Sequence, residues 1–102
     1  MSCLSRFSYC AVPGKSGELE HELKKLRDLV VNAGGVRPKI LHTHFASPGA
    51  PDIVFEQEAA DLASLEKQIT KLTENPDFQS WTKKMSGLLT QSPKREVYLV
   101  VD

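Results

Sequence analysis

Two histidines separated by one residue, His42 and His44, stand in an alternating apolar stretch running from Pro38 to Ala46. On a strand, residues i and i+2 share a face, so both imidazoles are expected to point the same way. A neutral imidazole near pH 7 is a workable general base, which makes this pair the candidate catalytic site. A loop centred near Pro48-Gly49 sets Glu56 across from His42, and a one-residue slip would swap the faces. Two histidines and a carboxylate are also a donor set for a divalent metal. The glutamate and glycine spacing that follows such a pair in cupins is missing, so no metal is assigned. Arg6, Glu56, Trp81 and Tyr98 are the candidate ligand contacts. Arg6 suits a ligand carboxylate or a pairing with Glu56, and Tyr98 carries a hydroxyl that needs a partner. Trp81 offers a ring surface, although its helical spacing equally suits the core. The structural alternative for the histidines is a pair at the sheet face or at a dimer seam.

These residues need elements to hold them. Leu4 to Val12 is aromatic and small-apolar and stops at Pro13-Gly14, which reads as a strand. Ser16 is an N-cap candidate for a helix carrying Leu19, Leu23, Leu26, Val30 and Ala33, ended by Gly34-Gly35. Pro38 to Ala46 and Asp52 to Glu58 form a strand pair across a proline-rich turn. Asp61 caps a helix with Leu62, Leu65, Ile69 and Leu72 on its stripe. Asn75-Pro76 breaks it and starts another, with Phe78, Trp81, Met85 and Leu88. Glu96 to Val101 is the last strand. The predicted order is β-α-β-β-α-α-β, an α+β ferredoxin-like antiparallel four-stranded sheet with helices on one face, in a single domain over 1–102.

Strand parity then sorts the sheet. Phe7, Tyr9, Ala11, Leu41, Phe45, Ile53, Phe55, Val97, Leu99 and Val101 are expected under the helices. Arg6, Ser8, Cys10, Val12, Ile40, His42, His44, Val54, Glu56, Tyr98 and Val100 are expected on the opposite, uncovered face. That second face holds more apolar surface than a soluble monomer usually exposes. A second copy is the simplest cover, giving a homodimer through the uncovered face.

Composition removes several classes. Lysine plus arginine and aspartate plus glutamate each total 13, so the chain lacks the cationic surplus of a nucleic-acid binder. Apolar runs are too short for a membrane span, and Met1 to Arg6 has none that could serve as a signal peptide. Cys3 and Cys10 on one strand would sit about 23 Å apart, too far for a disulfide, and free thiols point to the cytoplasm. There is no glycine-rich phosphate loop, and no cofactor is expected.

Three segments then carry a resemblance: Pro51-Asp52-Ile53-Val54-Phe55-Glu56, Asn75-Pro76-Asp77-Phe78-Gln79-Ser80-Trp81, and Lys94-Arg95-Glu96-Val97-Tyr98. They resemble the NIPSNAP-like branch of the dimeric α/β-barrel superfamily, with its Asp/Asn-Pro-x-Phe helix start and its Arg-Glu-hydrophobic-Tyr last strand. The resemblance implies a dimer. It also implies a small-molecule-binding protein or cofactor-independent enzyme, with a small aromatic or lactone-like ligand. In the related monooxygenase branch the pocket lies between sheet and helices. Two further expectations stand beside this one: a non-catalytic dimeric interaction module, and an antibiotic-biosynthesis-type monooxygenase.

Overall fold

The computed structural model describes residues 1–101. Its elements run β1 (Cys3–Tyr9), α1 (Ser16–Asn32), β2 (Lys39–His42), β3 (Ile53–Ala59), α2 (Leu62–Thr73), α3 (Pro76–Met85) and β4 (Lys94–Leu99), with a 3-10 turn over Ser86–Leu88 before the last strand. The sheet order is β2-β3-β1-β4, and every neighbouring pair is antiparallel. This is the expected ferredoxin-like α+β architecture, two layers thick.

Local chemistry sets most element ends. Asp61 precedes α2 in extended backbone and accepts the Ser64 amide at 2.7 Å. Asn75 accepts the Asp77 amide at 2.8 Å, with Pro76 in the first helical position. At the end of α1 the Gly34 and Gly35 amides bond back to Val31 and Val30. Gly34 sits at a φ of +87°, the left-handed conformation such a cap requires. The start of α1 departs from expectation. Ser16 is already helical, and the preceding residue, Lys15, makes no side-chain cap.

The core lies between the sheet and α1 and α3. Leu19, Leu23, Leu26 and Val30 of α1 pack on Tyr9, Ile53 and Phe55, with Trp81 and Met85 of α3 closing one side. Cys3, Ala59 and Leu65 form a smaller cluster at the other end of the sheet. Both cysteines are free thiols.

Strand β2 differs from its expectation in length and in register. It stops at His42, and its partners across β3 run from Lys39 with Glu56 to His42 with Ile53. Lys39, not His42, therefore stands opposite Glu56. The offset is three residues, an odd number, so every β2 side chain changes face. Ile40 and His42 lie on the helix side and Leu41 on the open side. The cause is the connection. The Thr43 amide bonds to Asp52 O and its hydroxyl to Pro51 O, which closes the ladder there. The chain from His44 to Pro51 is then a wide loop, and such a loop does not pin register as a two-residue turn does. His44 and Phe45 fall in its bend, and Phe45 is 90% exposed rather than packed under the helices. Pairing favours this register because it sets Ile40 against buried Phe55.

Strand β4 keeps its expected parity but not its cover. Val97 and Leu99 do lie on the helix side, opposite Ser5 and Cys3, yet they are 42% and 51% exposed. The helices lean toward β1 and β3 and stand off from β4.

Candidate functional site

The gap left by that lean is a cavity of about 560 Å³. Its floor is the helix face of the sheet: Ser5, Phe7 and Tyr9 of β1 with Phe55 of β3. Leu65, Ile69 and Leu72 of α2 and Phe78, Trp81 and Met85 of α3 form its walls. The segment from Leu89 to Pro93 and Arg95 of β4 form the rim. The volume falls within the usual range for small-molecule pockets, and so does the mostly apolar lining with a few polar groups.

Three features give the cavity its character. Trp81 stacks on Phe78 with ring centroids 6.1 Å apart, and its indole N–H donates to Glu22 O of α1 at 2.9 Å. That bond fixes the ring as a wall and leaves its face for contact. Tyr9 and Ser5, only 3% and 4% exposed, line the cavity, and among the described residues their hydroxyls have no hydrogen-bond partner. Burial pushes the Tyr9 pKa well above the ordinary phenol value, so at neutral pH it is a protonated donor, not a base. Arg95 is the one formally charged side chain among the residues lining this cavity. Its guanidinium sits 5.5 Å from the centre of the Phe7 ring.

Of the residues singled out by sequence, only Trp81 belongs to this cavity. Arg6, Glu56 and Tyr98 come together on the opposite, open face of the sheet. Arg6 stands across from Glu56 on one side and Glu96 on the other. Its Nε donates to Glu56 Oε1 at 2.8 Å and Nη2 donates to the same oxygen. The guanidinium also lies 5.4 Å from the centre of the Tyr98 ring, and the Tyr98 hydroxyl donates to Glu96. The hydrogen bond to Glu56 holds the Arg6 pKa above its usual value. The bond to Glu96 is the main cause of a raised Tyr98 pKa. His42 is a separate case. It lies on the helix side near the start of α1, its Nδ1 3.8 Å from Glu20 Oε2. His44 stacks edge-on against Phe45 in the exposed loop, ring centroids 4.6 Å apart. The two imidazoles therefore do not share a strand face, and Glu56 faces neither. Among the described residues no three His, Cys, Asp or Glu side chains gather where they could hold a metal ion.

Sequence reading missed Ser5, Tyr9 and Arg95 as site residues. Parity did place Tyr9 under the helices, and the break at Asn75-Pro76 marks where the helical cover divides. What parity does not carry is how far two short helices lean from an edge strand.

Searches against protein-family profiles and against curated proteins return no match. Solved structures do match across nearly the whole chain. A NIPSNAP family protein from Agrobacterium tumefaciens superposes with a TM-score of 0.72 at 16% identity, covering 99% of this chain and 87% of that one. This is the ferredoxin-like fold of NIPSNAP-like and monooxygenase-like α/β-barrel proteins. An uncharacterized NIPSNAP-like domain protein from Burkholderia xenovorans has the same ferredoxin-like fold, with a TM-score of 0.71 at 15% identity over 98% and 85% of the two chains. So does SnoaB, a cofactor-independent oxygenase from Streptomyces nogalater, with a TM-score of 0.64 at 13% identity over 99% and 92%. Among the described residues no helix is long and apolar enough to cross a membrane.

Proposed function

We propose that the chain binds a largely apolar small molecule in the cavity between its sheet and helices. The observation that carries this reading is the cavity itself, lined by Phe7, Phe55, Phe78, Trp81 and Met85, with the hydroxyls of Ser5 and Tyr9 on its floor. The Ser5 and Tyr9 hydroxyls open onto the cavity, where a ligand oxygen or an ordered water can bond to them. The apolar wall suits the small aromatic or lactone-like compounds expected from the family resemblance. His42 and His44 lie outside this site.

The test uses the chain's single tryptophan, which lies on the cavity wall. N-phenyl-1-naphthylamine absorbs where tryptophan emits. Saturable one-to-one binding with emission sensitised by Trp81 supports the reading. Absence of sensitised emission at saturating probe counts against it.

A second reading concerns the open sheet face, whose apolar side chains include Leu4, Leu41, Val54, Tyr98 and Val100. We propose that a second copy covers it and that Arg6, Glu56 and Tyr98 form the polar centre of the seam. Covering several hundred Å² of apolar surface contributes on the order of 10 kcal/mol before association costs. Sedimentation velocity at micromolar concentration should show twice the chain mass. A single chain mass there sinks this reading and leaves the cavity reading untouched.

A further inference from the structure

The cavity has one formal charge and it is positive. Arg95 lines the 560 Å³ cavity and also a shallower groove between α2 and β4, and the two spaces share Leu65, Ile69 and Arg95. Arg95 thus stands at their junction, where the interior opens to water. Among the described residues no carboxylate lies within ion-pair distance of it. Glu66 lines the same groove without pairing with it, and the adjacent Glu96 accepts from Tyr98 on the other face. Other strong donors nearby are spent: the Trp81 indole on Glu22 O, and the Gln57 amide on Val36 and Gln68. The one other titratable group lining the cavity is the protonated Tyr9.

We propose, resting on the cavity reading above, that the natural ligand is a monocarboxylate amphiphile. Its ring-sized apolar body lies inside, with one oxygen toward Ser5 and Tyr9, and its carboxylate meets Arg95 at the rim.

Physical chemistry favours this arrangement over the reverse. A carboxylate driven to the floor would lose its water against Phe7 and Phe55 with only neutral hydroxyls to meet it, a heavy penalty. At the rim it stays partly hydrated and finds a planar guanidinium that can engage both of its oxygens. Phe7 stands opposite Arg95 on β1 and holds the guanidinium over the cavity edge. Ser5 and Tyr9 flank Phe7 on the same face, so ring and polar contacts follow one line along the strand.

The test compares 2-naphthoate with 2-naphthamide, nearly equal in shape and different in charge, as displacers of N-phenyl-1-naphthylamine. The acid should displace the probe at about tenfold lower concentration than the amide, as expected for a charge-assisted bond at a half-hydrated rim. Arg95→Gln should abolish that preference, so that the acid displaces the probe no better than the amide does. Arg95→Lys should retain part of the preference, because the charge remains and the fork is lost. Matching far-UV circular dichroism spectra establish that both variants fold. Equal displacement by acid and amide, or a preference that survives Arg95→Gln, overturns the carboxylate inference and leaves the cavity reading standing. Failure of the neutral probe to bind at all overturns both.

Discussion

Replacing Trp81 by phenylalanine should loosen the wall that defines the cavity. The indole N–H donates to Glu22 O in the middle of α1, so this one bond ties α3 to α1 across 59 residues of chain. Phenylalanine lacks the donor and part of the ring volume. The Glu22 carbonyl keeps its acceptor role inside the helix, so no orphaned group is added and the lost bond costs about 1 kcal/mol. Shrinking a side chain that is almost fully buried against α1 adds about 1–2 kcal/mol of lost packing. The sum is about 2–3 kcal/mol. At roughly 4–8 °C per kcal/mol for a domain this size, melting should fall by about 8–24 °C. Urea unfolding followed by far-UV circular dichroism is the assay, because the variant has no tryptophan to report fluorescence. The midpoint should drop at constant slope. A loss below about 0.5 kcal/mol, the scatter of ordinary surface substitutions, would refute the tie between α1 and α3.

Two further outcomes follow from the helix ends. Hydrogen bonds from the Ser64 amide and side chain hold the Asp61 carboxyl below its usual value. A lowered carboxyl stabilises above its unfolded value and loses that contribution as pH falls through the folded one. Asp61→Asn keeps a cap acceptor without the charge, so parent and variant melting curves should converge as pH falls through the range in which the folded carboxyl takes up its proton; curves that stay parallel there would contradict the assignment. At Gly35, an added Cβ would lie 1.9 Å from Gln68 Nε2 and 2.8 Å from Val30 Cγ1. Gly35→Ala must therefore push Gln68 away from Gln57 and Val30 out of the core, costing about 1–3 kcal/mol in thermal unfolding, and a variant as stable as the parent would show the site to be roomier than its geometry implies.

Much of the architecture was legible because the local signals agree with one another. The α1 stripe, the Asp61 and Asn75 caps and the glycine stop at Gly34 each have one good reading, and the fold follows from their order. Strand β2 was not legible to the same degree. Its short alternating run fits either register, and the deciding contacts, Thr43 to Pro51 and Asp52, depend on how an eight-residue loop closes. A three-residue shift of register there moved His42 to the other face and separated it from Glu56. The Arg6–Glu56 pairing was accessible from parity because β1 and β3 are long enough to fix their own register. The cavity lay beyond sequence reading for a geometric reason. Parity puts Val97 and Leu99 on the covered side, but cover requires helix length, and the break at Asn75-Pro76 leaves two short helices that do not reach β4. Arg95, part of the Lys94-Arg95-Glu96-Val97-Tyr98 strand motif, becomes a site residue because of that shortfall.

The central claim is that a small apolar molecule occupies the space between sheet and helices. The most direct measurement is a map of backbone amide chemical shifts in the labelled protein, recorded through a titration with N-phenyl-1-naphthylamine. The predicted result is saturable movement at Ser5, Phe7, Leu72 and Trp81, with Leu41, His44 and Val54 unmoved. Movement confined to the open sheet face or the His42–His44 hairpin, with the cavity amides still, would contradict it.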